Sequence, residues 1–173
     1  DEVMSIDDAL NNKNIFVHGT KNKNNVLIVG KVKTGDFDKV LPNLHTVEGF
    51  LETSYVEHAY IEPEAGSSWF ENDKLVIQAC TQAPYMDRDD TAKILGLEKD
   101  KVRIIPSSTG GGFGSKLDVS IQPLLGLVTL ITKKPCRLTY SRKESMISTT
   151  KRHPAIMQAC ISSDNNGNII SMN

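Results

Sequence analysis

Cysteine is scarce in this chain, and what there is stands apart. Cys80, Cys136 and Cys160 are the only three among 173 residues. No two have metal-knuckle spacing, and an odd, dispersed set makes no disulfide framework. Their apolar surroundings read as buried free thiols in a reducing compartment, so the expected location is the cytoplasm. Long hydrophobic runs are lacking too. The longest, residues 124–131, falls well short of the roughly eighteen residues of a membrane span. No signal peptide is visible, and no membrane partner is expected. Neither sign of charge is in surplus: 20 basic and 21 acidic residues leave a formal net charge of −1. Without a basic face, nucleic acid is not an expected partner. The short runs 21–25 and 99–103 are balanced by nearby acids and read as solvated loops. No repeat and no low-complexity segment is visible.

What is present suffices for a core. Hydrophobic residues make up 39% of a chain long enough for one domain or two small ones. The chain opens on Asp-Glu-Val-Met-Ser and closes on what reads as a strand just beginning, which suggests a piece of a longer protein. Residues 1–44 show no dominant core pattern. Strand-like runs at 14–19 and 25–36 and a short helix at 36–44, stopped near Pro42, suggest a peripheral arm or the end of a preceding small domain.

The packed domain is expected over 45–173. Val47, Phe50, Thr53, Tyr55, Ala59 and Ile61 alternate loosely with polar residues, as in one long half-buried strand over 45–63. Residues 67–70 and 75–80 read as a hairpin turning at 71–74. A helix follows over 83–97, with Pro84 in its first turn and Gly96 as its C-terminal cap. Residues 102–107 read as a short strand. A second helix is expected over 118–132, burying Leu117, Ile121, Leu124, Leu125, Val128 and Ile131. A strand at 136–141 and a final hairpin over 153–173 complete the order. Helices interleaved with strands, and bracketed by hairpins, predict a two-layer α+β fold: a mixed β-sheet with two packing helices.

Between the 102–107 strand and the second helix lies Ser-Thr-Gly-Gly-Gly-Phe-Gly-Ser-Lys-Leu-Asp, residues 108–118. It is not a nucleotide P-loop, because Ser115 precedes Lys116 and Leu117 follows it, so the magnesium-binding hydroxyl is missing. It is not a dinucleotide fingerprint either, since the last glycine of G-x-G-x-x-G falls on Ser115 or Leu117. Two readings survive. Gly110, Gly111, Gly112 and Gly114 bare backbone amides for an anionic ligand, helped by the following helix N-terminus and walled by Phe113. Alternatively, the stretch is a turn with Phe113 plugging the core, in a non-catalytic α+β interaction module. A phosphate- or nucleotide-binding enzyme is a further rival.

The same residues resemble the G-G-G-F-G-x-K signature of the molybdenum hydroxylases, the xanthine dehydrogenase and aldehyde oxidase family. Three more segments match in the family's order. Residues 56–65, with Glu57, His58, Tyr60, Glu62 and Pro63, resemble its E-H-x-Y-x-E-P segment. Residues 81–97 resemble its T-Q-x-P segment running on to A-x-x-L-G, and 141–154 resemble S-R-x-E through R-H-P. The resemblance covers 45–173 and identifies the chain as part of a molybdopterin-binding large subunit.

The resemblance implies a molybdenum atom held by a pterin dithiolene, with no protein side chain as direct ligand. Gln82 is then expected beside the molybdenum, donating its amide to an oxygen ligand. Phe113 is expected near the metal through its backbone amide, with Gly111, Gly112 and Gly114 letting the backbone approach the cofactor. Family chemistry hydroxylates an N-heterocycle or aldehyde carbon with oxygen from water. Electrons leave through [2Fe–2S] clusters and FAD on partner domains or subunits. The family's glutamate base lies beyond residue 173, so no catalytic residue is expected here, and the piece alone is expected to be inactive and to hold no cofactor stably. Purine-oxidising members carry a glutamate after the signature lysine. Here Leu117 and then Asp118 stand in that region, as the candidate substrate residues. Asp118 reads equally as a cap of the second helix. Glu57, His58, His153, Arg142 and Glu144 read as structural, and Lys116 as a solvated lysine.

Overall fold

The computed structural model describes residues 5–11, 16–17, 25–35 and 45–173. The short helix expected over 36–44 lies outside the described residues. Two compact units emerge, one formed by 1–47 with 160–173 and the other by 48–159. They are described separately.

In the first unit, a short helix, α1 (Ile6–Asn11), buries no residue. Residues 26–34 form no strand, contrary to the expectation. Leu27, Ile28, Val29 and Val32 are exposed there, so the apolar run has no sheet to join. A three-stranded sheet in the order β1–β6–β7, with β1 (His45–Thr53), β6 (Ala155–Ser163) and β7 (Ile169–Met172), contributes to this unit β7, the adjoining end of β6 and the first residues of β1. The final hairpin is present: β6 pairs antiparallel with β7, with a register shift between Ser162 and Ser163. Its turn is tied by Asp164, whose carboxylate accepts from the amides of Asn166 and Asn168 at 2.8 and 2.9 Å.

The second unit is built on β2 (Ala65–Glu71), β3 (Lys74–Ala79), β4 (Val102–Pro106) and β5 (Cys136–Thr139), in the order β4–β3–β2–β5. β2 and β3 form the expected hairpin. Asn72 and Asp73 take left-handed φ values of 48° and 60°, as a two-residue turn of this kind demands. β3 and β4 are parallel, joined by helix α2 (Pro84–Leu95), so the sheet is mixed. The α+β expectation holds. α2 begins on its proline and stops at Gly96, whose φ of 67° ends the helix in the left-handed region.

β3 carries the core. Leu75, Val76, Ile77 and Ala79 are buried, and Ile121 and Leu125 pack with Leu75, Ile77 and Ala79. Full burial of each large side chain contributes roughly 1.5–3 kcal/mol. Leu125 belongs to helix α3 (Gln122–Thr132), which starts four residues later than expected. Its buried face is Gln122, Leu125, Gly126 and Thr129, while Leu124, Val128 and Ile131 are exposed by 46, 44 and 73%. Close docking decided this. Ser68 on β2 donates to the Leu125 carbonyl at 3.0 Å and shares 2.6 Å with the Thr129 hydroxyl. A Cβ added at Gly126 would lie 2.6 Å from Leu95 Cδ1. The small, hydrogen-bonding face fits against the sheet, and the bulkier apolar stripe does not. Asp118 does not cap α3, whose N-cap is Ile121.

Two further departures concern the segments around the site. The half-buried strand expected over 45–63 ends at Thr53, and β1 is mostly exposed. Residues 54–64 form an irregular strap, with Ala59 left-handed at φ 49°. Where only connecting residues were expected there is also a helix, α4 (Arg142–Ser148). Ser141 and Glu144 close a reciprocal capping box: the Ser141 side chain accepts from Glu144 N–H at 3.2 Å, and Glu144 accepts from Ser141 N–H at 2.7 Å.

Candidate functional site

The glycine stretch runs from β4 toward α3, against the strap on one side and Gln82, just after β3, on the other. The helix does not follow the glycines directly: Gln122 lies eight residues beyond Gly114, and the intervening segment is bends and turns. The α3 N-terminus therefore adds no direct donors to the stretch, contrary to the sequence expectation.

Gln82 is fixed by the stretch. Its backbone N–H donates to the Lys116 carbonyl at 2.9 Å. Its side-chain Oε1 accepts from Gly114 N–H at 3.0 Å and from Lys116 N–H at 3.3 Å. Two donors meet at one end of the amide, so that end must be the oxygen. The opposite end, Nε2, is left with no hydrogen-bond partner among the described residues. Gln82 is exposed, so these two N–H bonds are open to a ligand.

The stretch leaves donors free in the same place. Gly110 N–H is taken by Glu62 Oε2 at 2.8 Å, and Ser115 N–H by the Gly112 carbonyl at 2.9 Å. Between them, the amides of Gly111, Gly112 and Phe113 donate to no described residue. Successive unbonded amides in a chain that switches into the left-handed region make a concavity suited to electron-rich atoms. Gly111, Phe113 and Gly114 have φ of 109°, 54° and 97°. For Phe113 this conformation is strained. The residue is 75% exposed and does not plug the core.

The expected site residues thus divide. Gln82, Gly112 and Gly114 are in mutual contact, with the Phe113 amide adjacent. Gly111 packs on the strap, where an added Cβ would lie 2.9 Å from Tyr60 Cβ. Leu117 and Asp118 are exposed, and no hydrogen bond from either reaches Gln82.

Lys116 overturns its expected role. It is buried, 4% exposed, and paired with Glu62 at 2.8 Å. Burial pushes the Glu62 carboxyl up, but the Lys116 hydrogen bond, the Gly110 amide and the Lys116 charge outweigh it, so the group titrates below the usual glutamate range. Arg142, expected to be structural, ties distant segments: it donates to the Tyr60 carbonyl at 2.7 Å and to the Ile61 carbonyl, across some eighty residues of sequence. Tyr60, fully buried, donates its hydroxyl to Glu64. Burial first, and that hydrogen bond second, hold the phenol above its ordinary value. Glu57 pairs with Lys151 at 2.6 Å, which fits a structural role. The strap residues Tyr60 and Glu62 had no role assigned from sequence. Their signal was present in the Tyr-x-Glu-Pro segment, but a pairing 54 residues apart leaves no local trace.

A groove of about 400 Å³ opens elsewhere, lined by Pro84, Tyr85, Arg88, Lys99 and Arg103 among others. Its cations Arg88 and Lys99 pair with Asp89, and Arg103 with Glu71. It lies apart from the free amides and has few unspent charges.

Known proteins are similar to this chain in sequence and in fold. The chain is 38% identical over 157 residues to the nicotinate dehydrogenase large molybdopterin subunit of Eubacterium barkeri, covering 90% of this chain and 36% of that protein. It is 34% identical over 149 residues to a probable xanthine dehydrogenase subunit from Bacillus subtilis (strain 168), covering 85% of this chain and 20% of that one. Among solved structures, the aldehyde oxidoreductase from Desulfovibrio desulfuricans ATCC 27774 superposes with a TM-score of 0.70 at 28% identity, over 76% of this chain and 15% of that one. The chain therefore spans about a third or less of the length of these relatives. Residues 17–173 match the family described as the molybdopterin cofactor-binding domain, and the chain belongs to that family.

Proposed function

We propose that this chain supplies one wall of the molybdenum–pterin site in a hydroxylase resembling xanthine dehydrogenase, acting on an N-heterocycle or an aldehyde with oxygen drawn from water. The observation that carries this reading is the orientation of Gln82. Its oxygen is spent on Gly114 and Lys116, so only its N–H bonds face outward, beside the unbonded amides of Gly111, Gly112 and Phe113. Neutral donors gathered there suit the oxygen atoms of an oxidised metal centre and add no charge to it.

The residues fit the group. The cradle exists because Gly112 lacks a side chain: an added Cβ would lie 2.4 Å from Gln82 Oε1. Under this reading Gln82 and the Phe113 amide hold the cofactor's oxygen atoms, Gly111, Gly112 and Gly114 allow the close approach, and the exposed Phe113 ring walls the substrate space. When bound, the cofactor supplies two-electron redox chemistry. Partner domains or subunits carrying [2Fe–2S] and FAD groups would accept those electrons. In the same reading 45–173 is the first part of the cofactor-binding region and 1–44 the end of a preceding domain.

Leu117 bears on the substrate. It is 42% exposed and offers no acceptor to a heterocycle N–H. Together with the relative named for nicotinate, this favours a pyridine-type heterocycle over a xanthine-like purine.

The test is to produce the full-length subunit with its partners in a host that makes the cofactor. Molybdenum per polypeptide is measured, then turnover of nicotinate, xanthine and an aromatic aldehyde. About one molybdenum per subunit with turnover of nicotinate is the expected result. A folded subunit without molybdenum sinks the reading in favour of a non-catalytic module.

A further inference from the structure

We infer that Lys116 and Glu62 are positioning residues: together they clamp the two ends of the glycine stretch and so set where the free amides of residues 111–113 stand. The inference rests on the cofactor reading above and extends it to two residues that touch neither the cradle's open donors nor a substrate.

The clamp is built on one oxygen. Glu62 Oε2 accepts from Gly110 N–H at 2.8 Å and from Lys116 Nζ at 2.8 Å. Gly110 and Lys116 flank the five residues that hold the unbonded amides. Lys116 Nζ also donates to the Glu62 carbonyl at 3.0 Å and sits 4.4 Å from the centre of the Tyr60 ring. Glu62 N–H returns a bond to the Gly110 carbonyl at 3.3 Å. The packing leaves no slack: a Cβ at Gly110 would lie 2.7 Å from Glu62 Cβ. At the far end, Lys116 N–H and its carbonyl both engage Gln82. Lys116 thus joins the strap to the glutamine that faces the ligand.

A geometric role explains why the lysine is buried. An ammonium group enclosed to 3% side-chain exposure loses hydration that one partner barely returns, and apolar replacements of such pairs are often as stable. The pair is therefore a weak stabiliser. What it supplies is direction: three separate contacts on residues 60–62 fix one position of the chain at 116 and, through the shared oxygen, one at 110.

The clamp is tested in the full-length, cofactor-loaded subunit with Lys116→Met, Glu62→Leu and Glu62→Gln. The readouts are molybdenum content, the electron paramagnetic resonance spectrum of the molybdenum centre, kcat and KM. The first two variants are expected to keep the metal, to change the spectrum, and to lower kcat roughly ten- to a hundredfold with a smaller change in KM. Glu62→Gln keeps an oxygen for both donors and is expected to recover most of the spectrum and rate lost in Glu62→Leu. Should either single variant not fold, the double variant Lys116→Met with Glu62→Leu removes both charges, leaves no buried ion unpaired, breaks the same clamp and decides the matter. Metal-loaded variants with wild-type spectrum and kcat overturn the clamp and leave the cofactor reading standing. A wild-type subunit without molybdenum overturns both.

Discussion

Gln82 Oε1 occupies the space in which a side chain at Gly112 would begin: an added Cβ there lies 2.4 Å from that oxygen and 2.8 Å from Gln82 Cδ. The oxygen is pinned by two backbone amides, so it cannot swing aside without giving up both. Gly112→Ala is therefore expected to displace Gln82. Stability falls by about 1–3 kcal/mol, the usual range for overpacking. Molybdenum retention in the full-length subunit falls with it. Urea denaturation and metal analysis check the two effects separately. Unchanged metal content in this variant would count against the cradle.

Gln82→Glu separates holding the stretch from facing the ligand. A carboxylate keeps an oxygen for the Gly114 and Lys116 amides, so thermal unfolding is expected to shift little. It has no N–H to donate and adds a negative charge. If those donors act on developing charge, kcat is expected to fall about 10²–10³-fold, the cost of losing one preorganised donor. Steady-state kinetics read the outcome, with circular dichroism melting as the control.

How much of this was legible in the sequence depends on the range of the interaction. The β2–β3 turn, the caps of α2 and the β6–β7 hairpin follow from residues within a few positions of one another, and they stand where the pattern put them. α4 is equally local: the Ser141–Glu144 capping box sits within three residues, though no helix is expected there from the apolar pattern. The face of α3 was illegible for another reason. Periodicity picked a stripe of Leu117, Ile121, Leu124, Leu125, Val128 and Ile131; Ile121 and Leu125 are buried as expected, but Ser68, Leu95 and Gly126 turned Leu124, Val128 and Ile131 outward by close approach across the fold. The site divides the same way. Gln82 and the glycines were marked by local motif, but the burial of Lys116 depends on Glu62, far away in the chain.

Phe113 stores strain. A non-glycine residue at φ 54° costs about 1–2 kcal/mol, and its ring, largely exposed, returns little by packing. Phe113→Gly relieves the conformation and loses the ring. Its added freedom in the unfolded chain offsets part of the gain. The thermal midpoint is expected to hold or rise slightly, while KM for substrate rises if, as proposed, the ring walls the substrate space. A clear drop in melting temperature would mean that the ring packs rather than recognises.

Glu62 sets an acid limit. Its carboxyl titrates below the ordinary glutamate value of about 4.3. The unfolded chain therefore binds this proton first as pH falls, and the native state loses stability progressively from that value down through the lowered one. Above it the contribution is complete. Glu62→Gln is expected to flatten this part of the stability–pH curve, as read by denaturation at several pH values below 5.

Asp87 works in the opposite direction. It is buried, and burial is the main reason its carboxyl is raised. The nearby Thr81 hydroxyl and the Gln122 hydrogen bond pull it back, while the charges of Asp90 and Asp118 push it further up. The native state therefore holds this proton at pH values where the unfolded chain, with an aspartate near 3.9, has released it. Stability contributed here is highest at acid pH and falls as pH rises through the raised value, so the penalty is fully present once the native group ionises. The carboxylate also links α2 to α3, since Asp87 Oδ2 accepts from Gln122 Nε2 at 2.9 Å, while Oδ1 has no hydrogen-bond partner among the described residues. Asp87→Asn keeps an acceptor for Gln122 and removes the charge. It is expected to raise stability at neutral pH by on the order of 1 kcal/mol and to remove the decline with pH. Asp87→Leu removes the link as well and leaves Gln122 buried without an acceptor. It is expected to destabilise at every pH, and a Leu variant as stable as Asn would show that the Gln122 bond is not what joins the two helices.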